Sequence, residues 1–117
     1  MFELMVEDTF DAAHALRGYE GPCENLHGHT FKVQVFLKGK KLNKLGLLED
    51  FKAIKKELRS VLGEYDHRLL NDIKPFTAKN PTSENLAEEI FKTFKKRFKS
   101  LSKVTIWESG VTNASFY

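Results

Sequence analysis

Along the first fourteen residues apolar and polar side chains alternate. Phe2, Leu4, Val6, Phe10 and Ala12 share one phase, and Glu3, Glu7, Thr9 and Asp11 share the other. Side chains of a strand change face at every residue, so this pattern predicts a half-buried strand whose apolar face continues into His14. The stretch "RGYEGPCEN" reads as a loop. A second strand follows, with Phe31, Val33, Val35 and Leu37 set against Lys32, Gln34 and Lys38, and the same period puts His27 and His29 on its apolar face. After the turn-like "GKKLNK" the period lengthens. Phe51, Ile54, Leu58, Val61 and Leu62 form a helical stripe that Asp50 caps and Gly63 ends. "EYDHRLLND" reads as a loop or short irregular segment. "NPTSENLAEEIFKTFKKRF" predicts a second helix, capped by Thr82 or Ser83, with Glu84 near its positive end and Leu86, Ile90, Phe94 and Phe98 as its buried stripe. Val104 and Ile106 alternate with Thr105 and Trp107 in a third strand, and "TNASFY" supplies a fourth. The order ββααββ predicts an α+β domain over residues 1–117, an antiparallel sheet with two helices packed on one face.

A chain of 117 residues is the size of one ordinary domain and can build a core without disulfides. Its single cysteine, Cys23, excludes an intrachain disulfide, leaving a free thiol or a metal ligand. A free thiol suits a reducing compartment and points to the cytoplasm. The N-terminus mixes acidic with apolar residues and lacks a basic leader region, so no signal peptide is expected. No apolar run approaches the roughly 18 residues of a membrane span, so no membrane partner is expected either. The net charge of +3 and pI of about 9.0 permit anionic ligands. The one cationic run, "KTFKKRFK", reads as the solvated face of a helix rather than a nucleic-acid surface.

The strand phases carry the chemistry. His27 and His29 point the same way from one strand, and His14 points the same way from its neighbour. Three imidazoles suit a first-row metal, Zn²⁺ above all, and three protein ligands leave a coordination position open, as in catalytic sites. Gly28, between two of them, is expected to let backbone pack closely there. Cys23 has two readings at this point. It is a fourth ligand that closes a structural site, or it is a thiol beside the metal, made acidic by the cation and ready to act as base or nucleophile. Asp66-His67, taken alone, reads as an exposed loop pair.

Taken together, "FDAAHAL", "CENLHGHTF", "GLLEDF", "YDHRLLND", "NPTSENLAEEI" and "TIWESG" resemble, in order and over nearly the whole chain, the motifs of the 6-pyruvoyl-tetrahydropterin synthase family, which includes the 6-carboxytetrahydropterin synthases of the queuosine pathway. The resemblance implies the tunnelling fold, a ββααββ subunit that assembles into trimers closing a barrel, with two trimers stacking into a hexamer. It implies zinc on His14, His27 and His29, a catalytic thiol at Cys23, and an Asp–His pair at Asp66 and His67. Glu108 would anchor the pterin ring, since a carboxylate can accept the adjacent N–H donors of an aminopyrimidine edge. Thr82, Ser83 and Glu84 would line the pterin pocket from a neighbouring subunit. The implied substrate is 7,8-dihydroneopterin triphosphate. The short spacer between Cys23 and His27 resembles the branch that makes 6-carboxytetrahydropterin. Glu24, directly after the thiol, resembles members that also cleave to 6-hydroxymethyldihydropterin; the pyruvoyl branch has a longer spacer. A zinc- or pterin-binding oligomer without activity is the alternative of a different kind, and the presence of Cys23, Asp66, His67 and Glu108 together argues against it.

Overall fold

The computed structural model describes residues 1–18 and 25–117. Cys23 and Glu24 lie outside the described residues. Strand β1 (Phe2–His14) and strand β2 (His27–Gly39) pair antiparallel along their whole length, from Phe2 opposite Gly39 to His14 opposite His27. Helix α1 (Phe51–Gly63) follows, then the two-residue strand β3 (Arg68–Leu69) and a single 3-10 turn, helix α2 (Ser83–Lys95), and strands β4 (Leu101–Trp107) and β5 (Asn113–Phe116). The sheet order is β3-β1-β2-β4-β5, and both helices lie against one face. The expected α+β architecture is therefore present, with one addition: β3 pairs parallel to β1, through Ala12 with Arg68 and Ala13 with Leu69. Two residues are too few to show a period, so "EYDHRLLND" reads as loop from sequence although it adds an edge strand.

The core lies between the sheet and the helices. Phe31, Val33, Val35 and Leu37 on the central strand are fully buried, and Phe10 stacks on Phe31 with ring centroids 5.0 Å apart. From the helices come Ile54, Leu58, Leu62, Leu86, Ile90 and Phe94. Each such side chain contributes on the order of 1.5–3 kcal/mol by leaving water. Asp50 caps α1 by accepting from the Lys52 amide, and Thr82 caps α2 by accepting from the Asn85 amide. Gly63 is the last residue of α1, as expected, and Glu64 forms the cap. Phe51 and Phe2 depart from the expected stripes: each is 47% exposed, Phe51 at the first turn of its helix and Phe2 at the outer end of its strand. In the cationic run, Phe94 and Phe98 face the core while Lys92, Lys96, Arg97 and Lys99 are exposed.

β3 covers only Ala12 and Ala13, so among the described residues no strand pairs with Phe2–Asp11 on the side away from β2. This long edge also carries exposed Phe2 and Met5. An open edge of this kind is a template for pairing with another chain.

Replacing Phe31 by Ala removes the ring that stacks on Phe10 and also packs edge-on against His14 at 5.4 Å. Phe31→Ala is expected to lose about 3–5 kcal/mol of folding stability. Urea denaturation measures this, and a loss near zero would remove Phe31 from the core.

A candidate metal centre between two clefts

Three chain ends meet at one end of the sheet. β1 stops at His14, β2 starts at His27, and β4 stops at Trp107, one residue before Glu108. The N-terminus of α2 closes the group from the helix side. The antiparallel register sets His14 directly opposite His27, and His29 opposite Ala12. Opposed residues share a face, so the three rings crowd together, with centroids 4.7 Å apart for His14–His27, 4.6 Å for His27–His29 and 5.1 Å for His14–His29. One donor atom from each of His14, His27, His29 and Glu108 lies within 4.8 Å of the others.

The hydrogen bonds set the tautomers. His14 Nδ1 lies 2.8 Å from the Pro81 carbonyl, and His27 Nδ1 lies 2.7 Å from the Asn25 carbonyl. A carbonyl only accepts, so each ring donates its N–H there and leaves Nε2 as a lone-pair nitrogen. This is the outer-shell arrangement that orients metal-binding imidazoles. The Nε2 atoms of His14 and His29 are buried without a hydrogen-bond partner among the described residues. Glu108 Oε1 stands 3.2 Å from the first and 3.1 Å from the second, at ion-pair distance but without hydrogen-bond alignment. A carboxylate oxygen against a lone-pair nitrogen is a contact between two acceptors. It is repulsive unless a cation or a proton lies among them. The donor set and the orphaned nitrogens therefore fit a divalent metal of the zinc type. Burial lowers the pKa of His29 below its ordinary 6.5; Glu108 opposes this, and His14 and His27 add to the lowering. The neutral ligating form is thereby favoured.

On the outer face of β1 and β2, in phase with Asp11, Gly28 and Thr30 rather than with the three rings, is a cleft of about 590 Å³ that His29 and His67 also line. A Cβ on Gly28 would meet nothing closer than the Ala12 carbonyl at 3.8 Å. Close backbone packing is thus not what glycine provides here; it forms part of the cleft lining. His67 Nδ1 is 3.1 Å from Asp66 Oδ1. The Asp11 amide donates to that same oxygen at 2.9 Å and holds Asp66 below the usual carboxylate range; desolvation opposes this, and the His67 contact and Arg59 add to the lowering. His67 itself has φ of 58°, in the left-handed region that a non-glycine residue seldom adopts. Its amide donates to the Asp11 carbonyl at 2.6 Å, which pins it there. Strain retained by surrounding bonds is a mark of functional positions.

A second cleft, of about 220 Å³, is lined by Ser83, Glu84, Glu108, Thr112, Asn113 and Ala114. Ser83 Oγ donates to Glu108 Oε2 at 3.4 Å, and the α2 N-terminus favours negative charge beside it. Ser83 and Glu84 therefore line a cleft with Glu108 of the same chain. Thr82 is occupied as the α2 cap.

Several site residues escape sequence reasoning. The Pro81 and Asn25 carbonyls are backbone groups and leave no side-chain signal. Asn71 donates to the Ala15 carbonyl and accepts from the Ala15 amide, and Asn80 does the same for Arg17. These two side chains extend the ladder past the end of β1. Their only signal is an asparagine inside a quoted motif.

With helices on one face of the sheet and a ligand cluster at its end, the architecture is the tunnelling fold. It superposes on the Caenorhabditis elegans 6-pyruvoyl tetrahydropterin synthase structure with a TM-score of 0.90 at 31% identity, covering 98% of this chain and 94% of that one. The family model described as 6-pyruvoyl tetrahydropterin synthase matches residues 3–117. The chain belongs to that family, and it is a lyase. Relatives include a dihydroneopterin monophosphate aldolase of Pyrococcus furiosus, 40% identical over 87% of this chain and 85% of its own. A 6-carboxy-5,6,7,8-tetrahydropterin synthase of Haemophilus influenzae is 32% identical over 93% and 94%.

Removing one ring should abolish metal binding. In His27→Ala the zinc content, read by elemental analysis after dialysis, is expected to fall from about one ion per chain to a small fraction of that. Full retention would sink the assignment.

Proposed function

We propose that this chain, as one domain over residues 1–117, is a zinc-dependent 6-carboxytetrahydropterin synthase acting on 7,8-dihydroneopterin triphosphate, in the queuosine route. The observation that carries the reading is the meeting of three imidazoles, two of them oriented by backbone carbonyls, with Glu108, which also lines a cleft with Ser83. When bound, zinc supplies Lewis-acid polarisation of the side-chain hydroxyls. Glu108 accepts the N–H donors of the aminopyrimidine edge, and Ser83 orients its second oxygen. Three residues separate Cys23 from His27, which ties the thiol to the ligand strand; we assign it as the base that takes a side-chain proton. His67, held by ionised Asp66, relays a proton from the other cleft. Glu84 at the cleft rim contributes shape and charge.

A second reading has specific support. The Pyrococcus relative is named as an aldolase, and Glu24 follows Cys23 directly in this sequence. In an aldolase reaction a base takes the C2′ hydroxyl proton, the C1′–C2′ bond breaks, C2′ leaves as the aldehyde of the phosphorylated two-carbon fragment, and the electron pair is delocalised into the pterin ring before reprotonation at C1′. The product is 6-hydroxymethyldihydropterin. A carboxylate beside the thiol suits that step. The pyruvoyl reaction, elimination of triphosphate with the side chain kept, is named for the Caenorhabditis elegans structure, but the short spacer between Cys23 and His27 disfavours it here.

The open edge of β1 and its exposed Phe2 and Met5 support assembly by edge pairing. We assign a trimer whose sheets close into a barrel, stacked as a hexamer. No helix among the described residues is long and apolar enough to cross a membrane, and we assign the enzyme to the cytoplasm.

Incubation of the zinc-loaded protein with 7,8-dihydroneopterin triphosphate, followed by mass spectrometry, tests the reaction. The expected products are 6-carboxytetrahydropterin and acetaldehyde. 6-Hydroxymethyldihydropterin would select the aldolase reading, and absence of turnover on both the triphosphate and the monophosphate would reject both. Cys23→Ala should keep its zinc and fold while losing turnover by about 100-fold or more, the low end of what a general base contributes. Loss of zinc in that variant would instead make Cys23 a ligand.

A further inference from the structure

Glu108 has two sets of neighbours. Oε1 faces the orphaned Nε2 atoms of His14 and His29 at 3.2 and 3.1 Å, while Oε2 accepts from Ser83 in the smaller cleft. Its side chain is 30% exposed, so that cleft gives direct access to it. The residue sits just beyond the last ladder pair of β4 and is followed by exposed Ser109, Gly110 and Val111. Among the described residues no strand pairing holds its backbone. The same carboxylate thus reaches the ligand atoms of the metal centre and lines the cleft assigned to the pterin edge. One carboxylate cannot fully serve both. A dication among three neutral imidazoles attracts it strongly, and an aminopyrimidine edge offering two N–H donors competes for the same oxygens.

We propose that Glu108 is a displaceable fourth ligand, closing the metal centre of the resting enzyme and leaving it when a pterin edge binds beside Ser83. This rests on the zinc reading above. It means that the open coordination position, the one a substrate hydroxyl needs, is created by the substrate's own ring. Adventitious anions and thiols are kept off the metal until then. Because the pterin and the metal compete for one carboxylate, each weakens the binding of the other by the same factor.

The test uses 7,8-dihydropterin, which has the aminopyrimidine edge but no side-chain hydroxyls to reach a metal. Zinc affinity is measured by competition with a chromophoric chelator, and the ligand set by the visible spectrum of the cobalt(II)-substituted protein. In the wild type, saturating 7,8-dihydropterin is expected to lower zinc affinity and to change the cobalt spectrum. In Glu108→Gln, zinc is expected to bind about tenfold or more weakly even without pterin, and the pterin should then have no further effect. Glu108→Asp, which keeps the charge but shortens the reach by one methylene, should resemble Glu108→Gln in metal affinity; thermal melts confirm that both variants fold. Wild-type zinc affinity in Glu108→Gln, or a wild-type cobalt spectrum unmoved by bound pterin, overturns the proposal. So does a near-ultraviolet sulfur-to-cobalt charge-transfer band that disappears in Cys23→Ala, since the fourth donor would then be the thiol. Failure of the wild type to bind either metal, or its unchanged binding in His27→Ala, would overturn the zinc reading and this inference with it.

Discussion

The antiparallel pairing of β1 with β2 is the constraint on which the rest of the molecule depends. It runs unbroken from Phe2 opposite Gly39 to His14 opposite His27. The same register places Phe10 across from Phe31, where the two rings stack at the centre of the core. A slip of one residue would turn every side chain of one strand to the wrong face. The aromatic pair would then be lost to water and the three imidazoles would no longer converge. Core and ligand cluster are successive positions on one pleated face, so stability and chemistry are secured by one set of backbone hydrogen bonds.

The cluster is costly to build. His14 is almost completely buried, and two ring nitrogens lack hydrogen-bond partners among the described residues. Buried polar atoms without partners destabilise a fold by about 1–3 kcal/mol each. The surroundings compensate in part: carbonyls of Pro81 and Asn25 take the Nδ1 protons, and Phe31 packs against the rings. What remains uncompensated is a set of lone pairs facing a carboxylate, which a divalent cation satisfies. The segment Asn80–Ser83 joins these features. Asn80 holds the Arg17 backbone, Pro81 orients His14, Thr82 caps α2 and Ser83 holds Glu108. A change in that short segment acts on the ligand, the helix and the carboxylate together.

The two clefts divide the work by chemistry. One holds a strained, exposed imidazole whose partner carboxylate is kept ionised by a backbone amide. The other holds a carboxylate at the N-terminus of a helix, where negative charge is favoured. His29 lines the first and Glu108 the second, with 3.1 Å between their facing atoms.

Periodicity in the sequence determined the strands around residues 2–14 and 27–39, both helices with a cap at Asp50 and another at Thr82 or Ser83, and the common phase of His14, His27 and His29. These are local properties: a side chain's face follows from its position along a strand or helix, whichever partner it finds. The short parallel strand at Arg68–Leu69, the left-handed backbone at His67 and the ladder extensions by Asn71 and Asn80 were invisible in the pattern. Each depends on where β1 ends in space. The reach of Glu108 to two buried nitrogens was likewise decided only by tertiary structure. A residue just past the end of β4 meets residues almost a whole chain away only after the sheet has formed, and no spacing along the sequence records that distance.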